Sequence, residues 1–314
     1  MIADHPMIDL RHLHRWFGST RAVDDVSFEV HRGEVFGYIG PNGAGKTTTM
    51  RILATLDLPT CGDAMVDGFS VVDDPDRVRR RLGFMPDSFG TYANVNCREY
   101  LDFFARAYGL YGRQRRRALS YVMGFTDLEG LSEKPISSLS KGMKQRLCIA
   151  RAMIHDPSVL ILDEPAAGLD PRARIELRAM IRELATHGKT VLVSSHILTE
   201  LAEMCDRVGI IEQGKLLVVG TVEEMQQARI THREIRVRVL GDTGPLLRWL
   251  GHRDDIEPVA TDGQLLRFSH TGEEADQAAL LRDLVMAGFT ITEFAGHQQS
   301  LEDVFMRVTR GVVQ

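Results

Sequence analysis

Nine residues, Gly40 to Thr48, constrain the fold of this chain more than any other stretch. Their sequence, GPNGAGKTT, fits the pattern G-x-x-x-x-G-K-[ST]. An apolar run precedes it at 35–39, and a helical pattern follows it at 48–53. Glycines let the backbone fold tightly around an anion, which the amide groups and the positive end of the next helix then face. The sequence therefore predicts a phosphate-binding loop, since a chance Gly-rich turn would not account for both flanks.

Two side chains at the end of this loop suit a nucleotide and a metal ion. Lys46 is placed to reach the β- and γ-phosphates, and the hydroxyl of Thr47 is placed to coordinate Mg²⁺. We therefore expect ATP and Mg²⁺ to bind here.

Composition narrows the class of protein. With 314 residues, 44% of them hydrophobic, the chain is long enough for about two globular domains. The net charge of -5 argues against broad nucleic-acid binding, which needs a basic surface. The four cysteines are far apart and form no C-x-x-C pair, so neither a zinc site nor a disulfide framework is indicated. Because we find no apolar run of bilayer length and no signal-peptide core, we expect a cytosolic chain that does not cross a membrane alone.

A second chemical feature is an aliphatic run, Val159 to Leu162, that ends in two adjacent acids. Such a run predicts a central parallel strand that is buried on both faces, and buried carboxylates need a metal or a partner. Together with the phosphate loop this is a Walker B strand, in which Asp163 would hold Mg²⁺ through water. Glu164 would point to the opposite side of the pleat and take a proton from an attacking water. The alternative is a pair of surface acids in a turn.

A histidine follows another buried strand. The run 190–194 predicts the strand, and Ser195 and His196 come directly after it. Most lone histidines are structural, but this one lies at the carboxyl end of a strand, where open α/β sheets bind ligands. We therefore treat His196 as a candidate site residue. A helix at 171–186 separates it from the acids, and a hairpin at 208–219 follows it.

The remaining segments organise two regions. Strands are predicted within 7–30, where Phe17 is an aromatic that could stack on a base or lie in a core. A mostly helical stretch at 97–155 opens on a capping box, Asn96 with Glu99, and is broken at Gly109, Gly112 and Gly124. The basic run at 113–117 predicts a solvated face, with a docking surface as the alternative.

The pattern changes near 222–232. Beyond it, elements at 234–240, 245–251, 256–261, 264–269, 273–287 and 290–295 follow the order β-α-β-β-α-β, and a helix at 300–309 ends the chain. This order predicts a small ferredoxin-like α+β unit. It contains no catalytic cluster, so we expect a regulatory or interaction domain.

Three further stretches resemble ATP-binding-cassette (ABC) ATPases. The sequence LSKGMKQR at 139–146 resembles their signature motif, AGLDP at 167–171 resembles their D-loop, and His196 falls where their switch histidine does. The tail SLEDVF at 300–305 is similar to the end of the accessory domain on ABC-2-type drug and antibiotic exporters. The resemblance implies an α/β P-loop cassette at 7–225, with a RecA-like core and a helical subdomain at about 90–156. It also implies an accessory α+β domain at 232–314.

The resemblance also implies a site made from two chains. ATP would bind at the interface of a homodimer, between the phosphate loop of one chain and the signature motif of the other, because the two motifs of one chain cannot contact the same nucleotide. Ser140 and Gly142 would face the γ-phosphate on the other subunit, and Asp170 would link the halves. The implied catalytic residues are Glu164, His196 and Lys46, and the implied metal ligands are Thr47, Asp163 and Asp87. The implied ATP-binding residues are Phe17, Val23, Gly40, Pro41, Asn42, Gly43, Ala44, Gly45, Lys46, Thr47, Thr48, Ser140, Gly142 and Asp170.

The chain departs from the family pattern in three places. Lys141 replaces a glycine of the signature motif and adds charge near the phosphates. Ala166 and Ala167 replace a Thr-Ser pair before the D-loop, so hydroxyl contacts are lost there. Asp87 stands where the family commonly has Gln and the export subgroup often has Glu, and Asp is shorter than either.

The leading functional hypothesis is the ATP-hydrolysing subunit of a membrane exporter. It would dock at the cytoplasmic face of the cell membrane, on a separate permease, through the surface near 92–117. A soluble ABC ATPase that acts on ribosomes or nucleic acid is the alternative, although such proteins generally carry two cassettes or long coiled coils. A third hypothesis is a P-loop kinase, but it gives the signature stretch no role. A fourth is a regulator that binds nucleotide without hydrolysing it.

Overall fold

The structure is a computed structural model that describes residues 5–88, 90, 94–227, 233–253, 255–270 and 274–297. The chain divides into two compact units, Met1–Val222 and Glu223–Gln314, and each is described separately below. Within the described residues, none of the helices is both long enough and apolar enough to span a membrane.

The first unit contains ten strands and eight α-helices among its described residues, the last helix continuing past the division between the units. The strands are β1 Ile8–Phe17, β2 Thr20–Val30, β3 Val35–Ile39, β4 Cys61–Val66, β5 Phe69–Ser70, β6 Leu82–Met85, β7 Val159–Leu162, β8 Thr190–Ser195, β9 Arg207–Glu212 and β10 Lys215–Thr221. The helices are α1 Lys46–Leu53, α2 Pro75–Arg81, α3 Cys97–Ala107, α4 Gly112–Phe125, α5 Lys141–Met153, α6 Pro171–Thr186, α7 Leu198–Ala202 and α8 Val222–Gln227.

A six-stranded sheet forms the centre of this unit, in the order β10-β9-β3-β8-β7-β6. All of its strands run parallel except β10, which forms an antiparallel hairpin with β9. Every residue of β3, β7 and β8 is buried. Continuous aliphatic strands are typical of parallel sheets that are covered on both faces. The predicted α/β fold with buried strands at 159–162 and 190–194 is therefore confirmed.

A second, antiparallel sheet has the order β2-β1-β4-β5. One hydrophobic core joins it to the parallel sheet and to α1, and in this core the rings of Phe28 and Phe36 stack with centroids 4.9 Å apart. The long hairpin of β1 and β2 turns at Gly18, where φ is +59°. This turn holds Phe17 at the end of β1, on the surface.

Helices α3, α4 and α5 pack on one another. They form the mostly helical region that the sequence predicts at 97–155. Asn96 accepts from the backbone N–H of Glu99, and the Glu99 carboxylate accepts from the N–H of Asn96, so the predicted capping box is confirmed. Gly109 lies in the break between α3 and α4, but Gly124 lies inside the last turn of α4. Since α4 ends at Phe125, one residue after Gly124, the predicted breaks at Gly109 and Gly124 both fall at the ends of helices.

The second unit has the predicted element order. Among its described residues, four strands form an antiparallel sheet in the order β12-β13-β11-β14, which is the ferredoxin-like arrangement, and residues of two helices pack on this sheet. The predicted helix at 300–309 lies outside the described residues. The elements are β11 Arg233–Val239, α9 Gly244–Leu250, β12 Ile256–Asp262, β13 Leu265–His270, α10 Glu274–Met286 and β14 Ile291–His297.

Candidate active site

Four parallel strands bring the predicted site residues to one edge of the sheet. The register pairs Ile39 of β3 with Ser195 of β8, Val193 of β8 with Leu162 of β7, and Leu162 with Met85 of β6. The strands therefore end at similar heights, and the residues that follow them lie together. These residues are Gly40, Asp87, Asp163, Glu164 and His196.

The phosphate loop lies between the β1–β2 sheet and the β9–β10 hairpin. A Cβ on Gly40 would lie 2.3 Å from the carbonyl oxygen of Ile211, and one on Gly45 would lie 2.3 Å from that of Ala22. Gly43 and Gly45 have φ values of +83° and +108°, in the region that favours glycine. The loop therefore requires these glycines, and its cradle fits a phosphate group.

Lys46 is the first residue of α1 and is almost fully buried. Its ammonium group donates to the carbonyl oxygens of Gly40 at 2.6 Å and Pro41 at 3.2 Å. Its Nζ also lies 3.3 Å from Oε1 of Glu164. The ammonium group of Lys46 therefore lies between the carbonyl groups of the loop and the carboxylate of Glu164, which follows β7.

Asp163 is fully buried at the end of β7. Its Oδ1 accepts from the hydroxyl of Ser194 at 2.6 Å, while its Oδ2 has no hydrogen-bond partner among the described residues. Burial raises the pKa of Asp163. The hydrogen bond from Ser194 and the nearby hydroxyl of Thr47 oppose this shift, and the neighbouring charges of Asp87 and Glu164 add to it. A buried carboxylate oxygen without a donor, beside a threonine hydroxyl, is the donor set that Mg²⁺ prefers.

Glu164 takes an orientation that strand periodicity did not predict. Strand β7 ends at Leu162, and Glu164 has a φ of +49°, so the alternation of a pleat does not apply to it. Our derivation of its direction from the pleat is wrong for this reason. Its Oε2 instead lies 2.8 Å from Nδ1 of His196, and its backbone N–H donates to Ser194 at 2.8 Å.

Ser194 is a site residue that the sequence analysis missed. It lies in β8, is fully buried, and contacts both Asp163 and Glu164. A signal existed, because Ser194 and Ser195 interrupt an otherwise aliphatic strand just before His196. Only the β7–β8 register, however, reveals which of the two serines faces the acids.

Phe17 and Val23, the two residues predicted to lie near the adenine, differ in their exposure to solvent. The ring of Phe17 is 49% exposed, and the guanidinium carbon of Arg15 lies 4.4 Å from its centroid. Val23 is 0% exposed and lies in the core. A direct contact between Val23 and a nucleotide therefore does not fit this structure, because its position on β2 turns it inward.

The signature and D-loop residues lie around a different cleft. Ser140 caps α5 by accepting from the N–H of Met143, and Asp170 caps α6 by accepting from the N–H of Ala173. The cleft between these helix starts has a volume of about 520 Å³, and no phosphate-loop residue lines it. Its lining includes Ser140, Lys141, Gly142, Arg146, Gly168, Asp170 and Glu176.

The departures from the family pattern have distinct surroundings. The side chain of Lys141 lies against Gly168, where a Cβ would come 2.3 Å from Nζ. Ala166 is buried before the D-loop. Asp87 is exposed after β6, and its charge is near enough to Asp163 to raise the pKa of that carboxyl group.

The glycine cradle, Lys46, Asp163 and Glu164 at one edge of a parallel sheet define a P-loop ATPase. Comparison with family models matches residues 23–167 to the ABC transporter family and residues 220–309 to the C-terminal domain of DrrA1-3-like ATP-binding proteins. Nod factor export ATP-binding protein I of Ralstonia nicotianae is 35% identical over 98% of this chain and 95% of its own. Bacitracin transport ATP-binding protein BcrA of Bacillus licheniformis is 35% identical over 95% of this chain and 96% of its own. The chain therefore belongs to the ATP-binding proteins of ABC transporters, and it is an ATP hydrolase.

Solved structures agree with this assignment. The ATP-binding subunit of an ABC transporter has a TM-score of 0.64 and 32% identity, covering 71% of this chain and 92% of its own. The cassette MJ0796, solved as a dimer in a post-hydrolysis state bound to ADP and Pi, has a TM-score of 0.62 and 25% identity over 68% of this chain and 98% of its own.

Proposed function

We propose that this chain hydrolyses ATP as one half of a homodimer and powers export through a separate membrane permease. One observation carries the proposal. The phosphate loop with Glu164 and the Ser140–Asp170 cleft are two separate surfaces, although the chemistry needs both at one phosphate. A second copy of the chain, turned by a two-fold axis, would supply the missing half to each site. The cassette would span 7–225 and the accessory domain 232–314.

Hydrolysis needs a base, and Glu164 has the contacts of one. A carboxylate beside the phosphate loop can accept a proton from water, provided that its orientation is fixed. His196 and Lys46 lie on either side of this carboxylate and would hold its two oxygens. His196 is half exposed, so its free edge would face the γ-phosphate and position the attacking water.

The phosphate groups would be held by the loop and by Lys46. The amides of residues 41–48 would donate to phosphate oxygens, and the Lys46 ammonium would exchange its carbonyl partners for the β- and γ-phosphates. Asp163, Thr47 and Asp87 would hold Mg²⁺, which neutralises charge on the phosphates when bound. Phe17 would stack on the adenine from its exposed position.

The partner copy would complete the site through the starts of α5 and α6. Backbone amides at a helix N-terminus stabilise the charge that develops on a transferring phosphate. Ser140 and Gly142 lie at the start of α5, and Asp170 caps α6 across the same cleft. We infer that Asp170 links the two halves when the dimer closes.

The permease would dock on the helical subdomain. Large apolar side chains are exposed there, among them Phe103 and Tyr111. A groove of about 260 Å³ lies between this subdomain and the sheet core. Apolar grooves can bind the apolar face of a partner's helix, so a helix of the permease would bind here. Its lining includes Leu56, Phe84, Phe104, Tyr108 and Arg151.

Purification from native membranes tests the transport role. We expect the full-length chain to copurify with a multi-helix membrane protein, and Phe103→Asp with Tyr111→Asp to abolish the association while ATP binding persists. A chain that stays soluble without such a partner, and whose ATPase is stimulated by RNA or DNA, would contradict the proposal.

A further inference from the structure

The hydroxyl of Ser194 makes two hydrogen bonds inside the candidate active site. It donates to Oδ1 of Asp163 at 2.6 Å and accepts the backbone N–H of Glu164 at 2.8 Å. A hydroxyl offers one donor and two acceptor positions, so a single serine can make both bonds. Ser194 is fully buried and lies on β8, while both partners follow β7. It therefore connects the two neighbouring strands at the point where the acids begin.

The bond to Asp163 fixes one of two equivalent oxygens. With Oδ1 engaged by Ser194, the carboxylate cannot rotate freely, and Oδ2 remains buried without a hydrogen-bond partner among the described residues. Groups that hydrogen-bond a metal ligand set its orientation and tune its affinity. Ser194 thereby determines which oxygen of Asp163 is left for a metal ion.

The bond to Glu164 fixes a backbone conformation. A left-handed φ, here +49°, is costly for a residue with a side chain, and it persists only where the surroundings hold it. The N–H of Glu164 points at the Ser194 oxygen in this conformation. From it the carboxylate extends toward His196 and Lys46.

We propose that Ser194 is a positioning residue of the ATPase site, which orients the metal-binding carboxylate of Asp163 and the basic carboxylate of Glu164 at once. The inference rests on the proposed function for the roles of these two acids. Both hydrogen bonds of the Ser194 hydroxyl go to these two residues, so Ser194 would act through them.

The adjacent serine provides a matched control. Ser195 is also buried in β8, but strand alternation turns it to the other face, where its hydroxyl accepts the N–H of Ile197 at 2.9 Å and lies 3.5 Å from Glu200. Ser194→Ala and Ser195→Ala remove the same atom from neighbouring positions. Ser194→Thr keeps the hydroxyl and serves as the conservative rescue.

The experiment compares the full-length parent with these three variants by two measurements. The first is kcat and KM for MgATP hydrolysis. The second is the affinity for a fluorescent ATP analogue, with Mn²⁺ and in EDTA. We expect Ser194→Ala to lower kcat by about 10- to 100-fold and to lose most of the affinity gained from Mn²⁺, so that KM for MgATP rises while binding in EDTA persists. Ser195→Ala should resemble the parent, and Ser194→Thr should recover most of the loss.

Two results would overturn the inference. One is a Ser194→Ala variant whose kcat and Mn²⁺-dependent affinity match those of Ser195→Ala. The other is an equal loss of affinity with and without metal, which would indicate a general disturbance of the fold. A parent chain that binds nucleotide but does not hydrolyse it would instead refute the proposed function, and the Mn²⁺ measurement would still decide the role of Ser194 toward Asp163.

Discussion

The Nδ1 atom of His196 lies 2.8 Å from Oε2 of Glu164. This contact joins residues that follow β8 and β7, two adjacent parallel strands. The other carboxylate oxygen of Glu164 lies 3.3 Å from Nζ of Lys46. Glu164 is thus held between a histidine and a lysine, which fix the orientation of the carboxylate that we propose as the base.

Replacing the base should separate binding from hydrolysis. We expect Glu164→Gln to lower kcat by at least about 100-fold, because an amide cannot accept the proton, while ATP still binds. The variant should elute as a dimer in MgATP during size-exclusion chromatography. Glu183→Gln, an exposed glutamate on α6, is the control and should behave as the parent. Hydrolysis by Glu164→Gln at the parental rate would refute the role of this residue.

Removing the histidine should affect turnover more than affinity. Because His196 orients the carboxylate of Glu164, we expect His196→Ala to lower kcat by roughly 10- to 100-fold, with the dissociation constant for ATP changed much less. Steady-state ATPase assays and nucleotide titration measure the two effects. His187→Ala, which alters an exposed histidine at the end of α6, should change neither; an unchanged kcat in His196→Ala would argue against the contact.

Asp87 lies where the catalytic edge of the sheet meets the segment that leads to the helical subdomain. We expect Asp87→Ala to impair the coupling of hydrolysis to transport more than nucleotide affinity. The measurement is transport per ATP in vesicles that contain the permease, together with the dissociation constant for ATP. A large rise in that constant with coupling intact would count against this assignment.

His155 should make the cassette sensitive to acid. Burial lowers its pKa to about 4, and its ring stacks on Tyr108 with centroids 3.8 Å apart. Since the unfolded chain has a higher pKa of about 6.5, it binds more protons than the folded chain between these values, and stability is lost as pH falls from 6.5 toward 4. This group accounts for up to about 3 kcal/mol of that loss.

Urea unfolding of the parent and of His155→Gln at several pH values tests this. The parent should lose more of its free energy of unfolding than the variant between pH 6.5 and pH 4. His187→Gln should follow the parent. Identical pH dependence in the parent and His155→Gln would show that the imidazole is not the titrating group.

The sequence predicted the structural features that are determined by residues close together in the chain. The glycine spacing of the phosphate loop, the aliphatic run before Asp163 and the capping box at Asn96 each lie within a few residues, and each prediction of local structure is confirmed. The same holds for the β-α-β-β-α-β order of the second unit, in which Ile235–Val239 of β11 alternate between buried and more exposed residues.

Features set by tertiary contacts could not be predicted from the sequence. The backbone of Glu164, with its left-handed φ, donates its N–H to Ser194, which is 30 residues away and is brought close by the register of β7 and β8. Val23 is buried because of the hairpin that β2 forms with β1, and no pattern near it distinguishes burial from a nucleotide contact.

Two identical chains should complete each other's reaction centre, and mixing two inactive variants tests this directly. Inactive Lys46→Ala and Ser140→Arg chains, mixed in equal amounts, give half mixed dimers, and each mixed dimer has one intact site of two. We therefore expect the mixture to recover about a quarter of the parental ATPase rate, while each variant alone stays inactive. No recovery on mixing, together with a parent monomer that hydrolyses ATP at the full rate when dilute, would contradict the account.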